Sequence, residues 1–263
     1  MRRLALVAVA VALAAPVAAR ATTETATLGA TSATFTYKKV HYRYTGMTVA
    51  IARGGTVAYQ GVATSPQCQP SFCWPELATA FRPSLRVVDL DGDGEPEVIV
   101  DVSTHGAHCC TIANVYRWTG TTYAEAIRNF ADFGYTLDGG VFTTGDHRFA
   151  YAFASFADSV FPVRLLTFGA GGWRDVTRTH PDTLTADAAR WLKYYKQHRD
   201  GTRSLGLLAA WAADEYRLGR AHAADTYMSA ELRAGRLKGD RHWPRGKAFI
   251  STLHRRLRAW GYT

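Results

Sequence analysis

The chain of 263 residues has four cysteines, three methionines and one long apolar run, Leu4 to Ala15. No later stretch approaches the roughly 20 apolar residues a helix needs to span a bilayer, so no membrane-spanning helix is predicted in the mature protein. Gly-x-Ser-x-Gly, His-Glu-x-x-His and a Gly-rich loop ending in Lys-Ser or Lys-Thr are all missing. Their absence removes the commonest nucleophile, zinc-hydrolase and phosphate-cradling signatures. Nearly half the residues are hydrophobic, enough for one large or two small packed domains.

Arg2 and Arg3 precede the apolar run, and small residues including Ala19-Arg20-Ala21 follow it, which is the pattern of a secretory signal peptide. Cleavage is expected after Ala21, with Ala19 as the alternative. The mature protein is then secreted or extracytoplasmic by the Sec-type route. No cysteine lies near the cleavage point to carry a lipid anchor.

Charge is unevenly spread. Residues 22–179 hold 12 Lys and Arg against 14 Asp and Glu, whereas residues 180–263 hold 16 against 8. The first of these spans reads as short β-branched and aromatic runs punctuated by Gly, Asp and Thr from about Ala33 onward. Met47 to Ala52, Gly54-Gly55 and Thr56 to Gln60 predict a hairpin. Val98 to Ser103 predicts a strand buried on both faces, and Thr111 to Tyr123 a second hairpin. A third unit is expected from Phe149 to Phe156, Val163 to Phe168 and Trp173 to Val176. Tyr116 to Tyr123 and Leu166 to Trp173 share an aromatic strand end, a Gly turn and another aromatic, the weak repetition that stacked β-meanders leave. After Pro181 the periodicity turns helical, over about Ala186 to His198 with Thr185 as cap, Ser204 to Leu218, Ala221 to Leu237, and a last helix with Pro244 in its first turn. The expectation is therefore an α+β protein: a signal peptide over 1–21, an antiparallel β-meander domain over 22–179 forming a partial propeller or sandwich, and a small basic helical region over 180–263.

The densest chemistry is Asp89-Leu90-Asp91-Gly92-Asp93-Gly94-Glu95-Pro96-Glu97. Calcium takes six to eight oxygens, and a tight loop can offer them from alternate residues. Asp89, Asp91 and Asp93 stand at positions 1, 3 and 5, Gly94 at the sharp turn of position 6, Glu95 at position 7 and Glu97 at position 9. Five acids this close repel one another unless a cation joins them. Position 12 is Val100 instead of the bidentate Glu of an EF-hand, and a strand is expected to follow. These residues resemble the FG-GAP and VCBS repeat families, as in integrin α subunits, over about Arg86 to Tyr123 and with a single copy of the loop. The resemblance implies an extracellular β-domain, with Asp89, Asp91, Asp93 and Glu97 as side-chain ligands and Glu95 ligating through its carbonyl. A dissociation constant on the order of 10⁻⁴ to 10⁻³ M, common in extracellular modules, makes Ca²⁺ a structural constituent.

Exported cysteines in an even number suggest disulfides. Cys68 with Cys73 is locally easy and leaves Cys109 with Cys110, a strained vicinal bond; the two crossed pairings avoid that strain and need partners on opposite strand faces, and the local arrangement is favoured. His105, His108, Cys109 and Cys110 also read as zinc or copper ligands, although consecutive side chains of an extended segment diverge and oxidised cysteines do not ligate.

Three function classes follow. The favoured one is a non-enzymatic, calcium-stabilised binding or structural module that meets an extracellular protein, a glycan or another envelope component. The second is an envelope hydrolase using carboxylates such as Asp132, Asp138 and Asp158. The third attaches to an anionic polymer through Arg233, Arg236, Lys238, Arg241, Arg245, Lys247, Arg255, Arg256 and Arg258.

Overall fold

The structure, a computed structural model, describes residues 21–68, 73–80, 82–106 and 109–263. Residues 1–20 of the expected signal peptide lie outside them. Three antiparallel sheets are followed by a helical C-terminal region, the α+β arrangement read from the sequence.

The first sheet is a meander of β1 (Ala21–Leu28), β2 (Thr31–Val40), β3 (Arg43–Arg53) and β4 (Thr56–Val62). It begins before Ala33, where strands were first expected. The Thr-rich run of β1 pairs with β2 along its whole length. Gly54 and Gly55 have φ of 55° and 84°, the left-handed values that a two-residue hairpin turn requires at both centres.

The middle sheet holds β5 (Trp74–Pro75), β6 (Leu85–Val88), β7 (Glu97–Gly106), β8 (Cys109–Trp118) and β9 (Tyr123–Asn129). A short helix, α1 (Glu76–Ala80), follows β5. Strand β7 is its centre, paired with β8 on one edge and with β5 and β6 on the other. The third sheet runs β10 (Thr136–Asp138), β11 (Val141–Gly145), β12 (Val163–Gly169) and β13 (Gly172–Asp175).

Alternation along β7 and β8 determines how the sheets stack, because successive side chains point to opposite faces. Val98, Val100, Val102, Ile112 and Tyr116 pack with Phe35, Val49 and Ile51 of the first sheet. Ile99, Ala113 and Val115 pack with Phe142, Leu166 and Phe168 of the third. The middle sheet is thus covered on both faces, and Val98 to Val100 are wholly buried. The two aromatic repeats occupy equivalent places: Trp118 pairs with Tyr123 and Phe168 with Trp173 across their hairpins, with ring centroids 5.3 and 5.0 Å apart.

Phe149 to Phe156 is not a strand. It forms 3₁₀ turns at His147–Phe149 and Phe156–Asp158, with Asp146 capping the first and Tyr151 at φ 54°. Phe149, Ala152 and Phe153 recur at three- and four-residue spacing and pack into the helical core against Phe249, Trp260 and Tyr262. The tertiary pocket overrides the aromatic bias toward strand.

The helices are α2 (Pro181–Gln197), α3 (Ser204–Arg217), α4 (Ala221–Arg233) and α5 (Gly246–Ala259). Helix α2 starts at Pro181, whose fixed φ suits a first turn, so Thr185 lies inside the helix instead of capping it. Helix α4 ends before the expected Leu237, where Gly235 turns left-handed at φ 67°. Pro244 precedes α5 and is not in its first turn. Helix α3 is buried almost throughout and forms the centre of the bundle. Truncating Leu205 or Leu208 there to Ala would cost about 2–5 kcal/mol. No helix among the described residues is long and apolar enough to cross a membrane.

Asp214 of α3 is fully buried, and neither of its oxygens has a donor partner among the described residues. Burial, with the nearby Asp187 carboxylate of α2, raises its pKa well above the usual carboxylate value. A group shifted upward on folding contributes stability that is full below its unfolded pKa and is lost as pH rises through its folded pKa. Asp214→Asn is therefore expected to flatten the fall of melting temperature as pH rises from the ordinary carboxylate range toward the folded pKa, each unit of pKa difference being worth about 1.4 kcal/mol. Parallel melting curves of variant and wild type across that pH range would contradict this assignment.

Candidate functional site

Val88 and Glu97 close the β6–β7 pair, and the acidic loop is the connection between them. Gly92 and Gly94 take φ of 75° and 83°, folding the chain back over Asp89. The two Asp89 oxygens accept hydrogen bonds from the Gly92 and Gly94 amides at 2.8 and 3.0 Å, and Asp93 Oδ1 accepts from the Glu95 amide at 2.9 Å. Leu90 is buried in the core beneath and donates its amide to Glu97 Oε2 at 2.9 Å.

Asp89, Asp91 and Glu97 each offer an oxygen, and the three oxygens lie within 4.8 Å of one another. Two oxygens bound to one calcium at about 2.3–2.6 Å are separated by no more than about 5 Å, so the spacing suits a shared ion. Two glycines of the third sheet leave room for this arrangement. A Cβ on Gly169 would stand 2.6 Å from Asp91 Oδ2, and one on Gly140 only 2.2 Å from the Leu90 carbonyl oxygen.

Of the four carboxylates expected as ligands, Asp93 stands apart from this trio. Its Oδ2 accepts from Arg117 Nη2 at 2.7 Å, an interaction that holds its pKa below the usual carboxylate value. Glu95 directs its side chain outward to a two-pronged ion pair with Arg53, one arm being 2.6 Å.

Arg117 is the residue that sequence reasoning overlooked. One of its amino groups lies 2.5 Å from Glu97 Oε1 and 3.3 Å from Asp91 Oδ2, so with Asp93 it spans three of the five acids. Glu97 has no exposure, and desolvation raises its pKa against the opposing pull of Leu90 and Arg117. Five carboxylates against Arg117 and Arg53 leave the loop three negative charges in excess. The guanidinium therefore shares the loop's charge without balancing it.

Cys68 and Cys73 form a disulfide with Cα atoms 5.1 Å apart, the local pairing favoured from the sequence. None of the described cysteines is free. The reading of His105, His108 and Cys109 as metal ligands with Cys110 falls outside the described side chains. Asp132, on a 3₁₀ turn, and Asp138, at the end of β10, are exposed, and Asp158 accepts from the Thr202 hydroxyl at 2.6 Å. None of these three lines the loop's depression or the aromatic cleft between Phe133 and Trp191. Among the nine C-terminal cations, Arg236 is tied to Glu231 at 2.7 Å and Arg256 lies over Phe153, while the other seven are exposed.

Comparison with protein-family models, with curated proteins and with solved structures finds no significant match to the chain.

Arg117→Gln removes the counter-charge from a buried carboxylate, a change worth toward the low end of about 3–5 kcal/mol. The calcium-free variant is expected to melt lower than wild type and to gain more from added calcium, because a competing cation is gone. Gly169→Ala, by crowding Asp91, is expected to weaken that gain. An identical calcium response in wild type, Arg117→Gln and Gly169→Ala would show that these residues do not shape the site.

Proposed function

We propose that the chain is an exported, non-enzymatic module whose β-domain is held by one structural Ca²⁺ in the loop from Asp89 to Glu97 and whose partner is an extracellular protein, glycan or other envelope component. The observation that carries this reading is the convergence of Asp89, Asp91 and Glu97 oxygens within 4.8 Å on a loop turned by two left-handed glycines. Such a hard, oxygen-only donor set favours calcium over softer ions. The strand that follows the loop, in place of an EF-hand helix, is in keeping with the FG-GAP and VCBS resemblance, and the Cys68–Cys73 disulfide suits an oxidising compartment.

The ion's role is mechanical. By drawing the Asp89 and Glu97 ends of the loop together it fixes the β6–β7 connection, which in turn rests on Gly140 and Gly169 of the third sheet. Carboxylates that repel one another become a cross-link between the two ends of the β6–β7 turn. No bond is made or broken, and the site would be filled at millimolar calcium.

Calcium titrated into the chelated protein should give one binding event by calorimetry and a higher melting temperature, the stabilisation reaching about 1.4 kcal/mol at roughly tenfold excess over the dissociation constant. Asp89→Ala and Asp91→Asn should each weaken the event while leaving the far-ultraviolet circular dichroism unchanged. The proposal fails if calcium changes neither heat nor melting temperature.

A further inference from the structure

A second feature lies away from the acidic loop, where the middle and third sheets meet the end of the chain. Two adjoining depressions, about 150 and 310 Å³ in volume, share Arg148 and Arg164. Arg128 completes the smaller one, and Arg178 and Arg217 line the larger. Against these five guanidinium groups stand only Asp146 and Asp175, an excess of three positive charges.

Three of the arginines have structural employment. Arg148 is clamped on Asp146 and donates to the Trp260 carbonyl at 2.9 Å. Arg178 donates to the Arg217 and Tyr262 carbonyls at 3.1 and 2.7 Å, and Arg217 to the Val163 carbonyl at 2.9 Å. The remaining two are different. Arg128 rests over the Trp173 ring at 5.6 Å and has no acceptor among the described residues. Arg164 gives Nε to Asp175 at 2.8 Å, and its two terminal amino groups have no acceptor among the described residues. Both arginines face the smaller depression, and Arg128 is half-buried, so each sits in the other's field with reduced screening from water.

We propose that this cleft binds a phosphate group, held between the Arg128 guanidinium and the free amino groups of Arg164. Planar guanidinium forks match tetrahedral oxyanions, and water is partly excluded from this pair. A dianion relieves the Arg128–Arg164 repulsion and offsets most of the local charge excess. The smaller depression accommodates the phosphate, and the larger, running past Arg148 toward Trp260, accommodates whatever is esterified to it. The ligand is thus inorganic phosphate or a small phosphomonoester.

Calorimetric titration of the full chain with inorganic phosphate and with glycerol phosphate, in chelated and calcium-replete forms, tests this. Both forms should bind one equivalent, which separates this site from the calcium loop. Arg128→Gln, which breaks no hydrogen bond or ion pair among the described residues, should weaken binding about tenfold or more without lowering the melting temperature. Arg164→Lys should weaken it as well, and Lys247→Gln on the exposed face of α5 should not. Tighter binding of glycerol phosphate than of inorganic phosphate would identify an esterified ligand, and equal binding the free ion. Absence of heat at millimolar phosphate, equal affinity in wild type and Arg128→Gln, or a loss caused by Lys247→Gln would overturn the proposal.

Discussion

Glu97 is a carboxylate with no contact with water, placed where a turn becomes a central strand. Burying such a charge costs several kcal/mol unless its oxygens are occupied. Here one oxygen accepts the Leu90 amide and the other faces Arg117, so the same group closes the loop and ties it to the neighbouring strand β8. The positions of Asp89 and Asp91 follow from that closure. A cation entering the loop would join a frame already braced by a guanidinium.

Arginine does similar work at the other end of the molecule, toward a different kind of acceptor. Arg148, Arg178 and Arg217 direct their forks at main-chain carbonyls of α3, of the segment entering β12 and of the last residues, and Tyr262 lies beneath Arg217 with its hydroxyl on Asp146. These carbonyls come from ends of elements, where regular pairing stops and acceptors are left over. Part of the protein's positive charge therefore serves internal junctions. The exposed cations of α4 and α5 are a separate population.

The acidic loop, the Gly-Gly hairpin and the two-sided burial of Val98 to Val100 were legible because each is local: spacing, turn chemistry and apolar runs lie within a few residues. So was the α+β order. Arg117 was not, although it lies opposite Glu97 in the β7–β8 ladder. Counting back from the Gly106–Cys109 pair places Glu97 opposite Trp118, and only the register shift between Ser103 and Gly106 brings Arg117 there. A bulge of one residue is invisible in composition and reverses every facing assignment beyond it. Phe149 to Phe156 misled for a related reason, since aromatic residues suit a strand or a packed turn equally well, and the helices that receive Phe153 lie nearly a hundred residues away. Strands β10 and β11 are short and carry Thr and Gly, leaving little alternation to detect.

Apart from β5, which pairs with β7, every strand pairs with its neighbour in the chain, so each sheet's pairing can form as soon as its own stretch of chain is available. The middle sheet, however, is greasy on both sides and stays incompletely wrapped until the third has been made and docked. Until that docking, one broad apolar surface, centred on Ile99 and Val115, has no lid. Resistance to clumping in that interval falls to the charged fringe of the same sheet, where the acids of its first turn would keep two half-built molecules from stacking face to face.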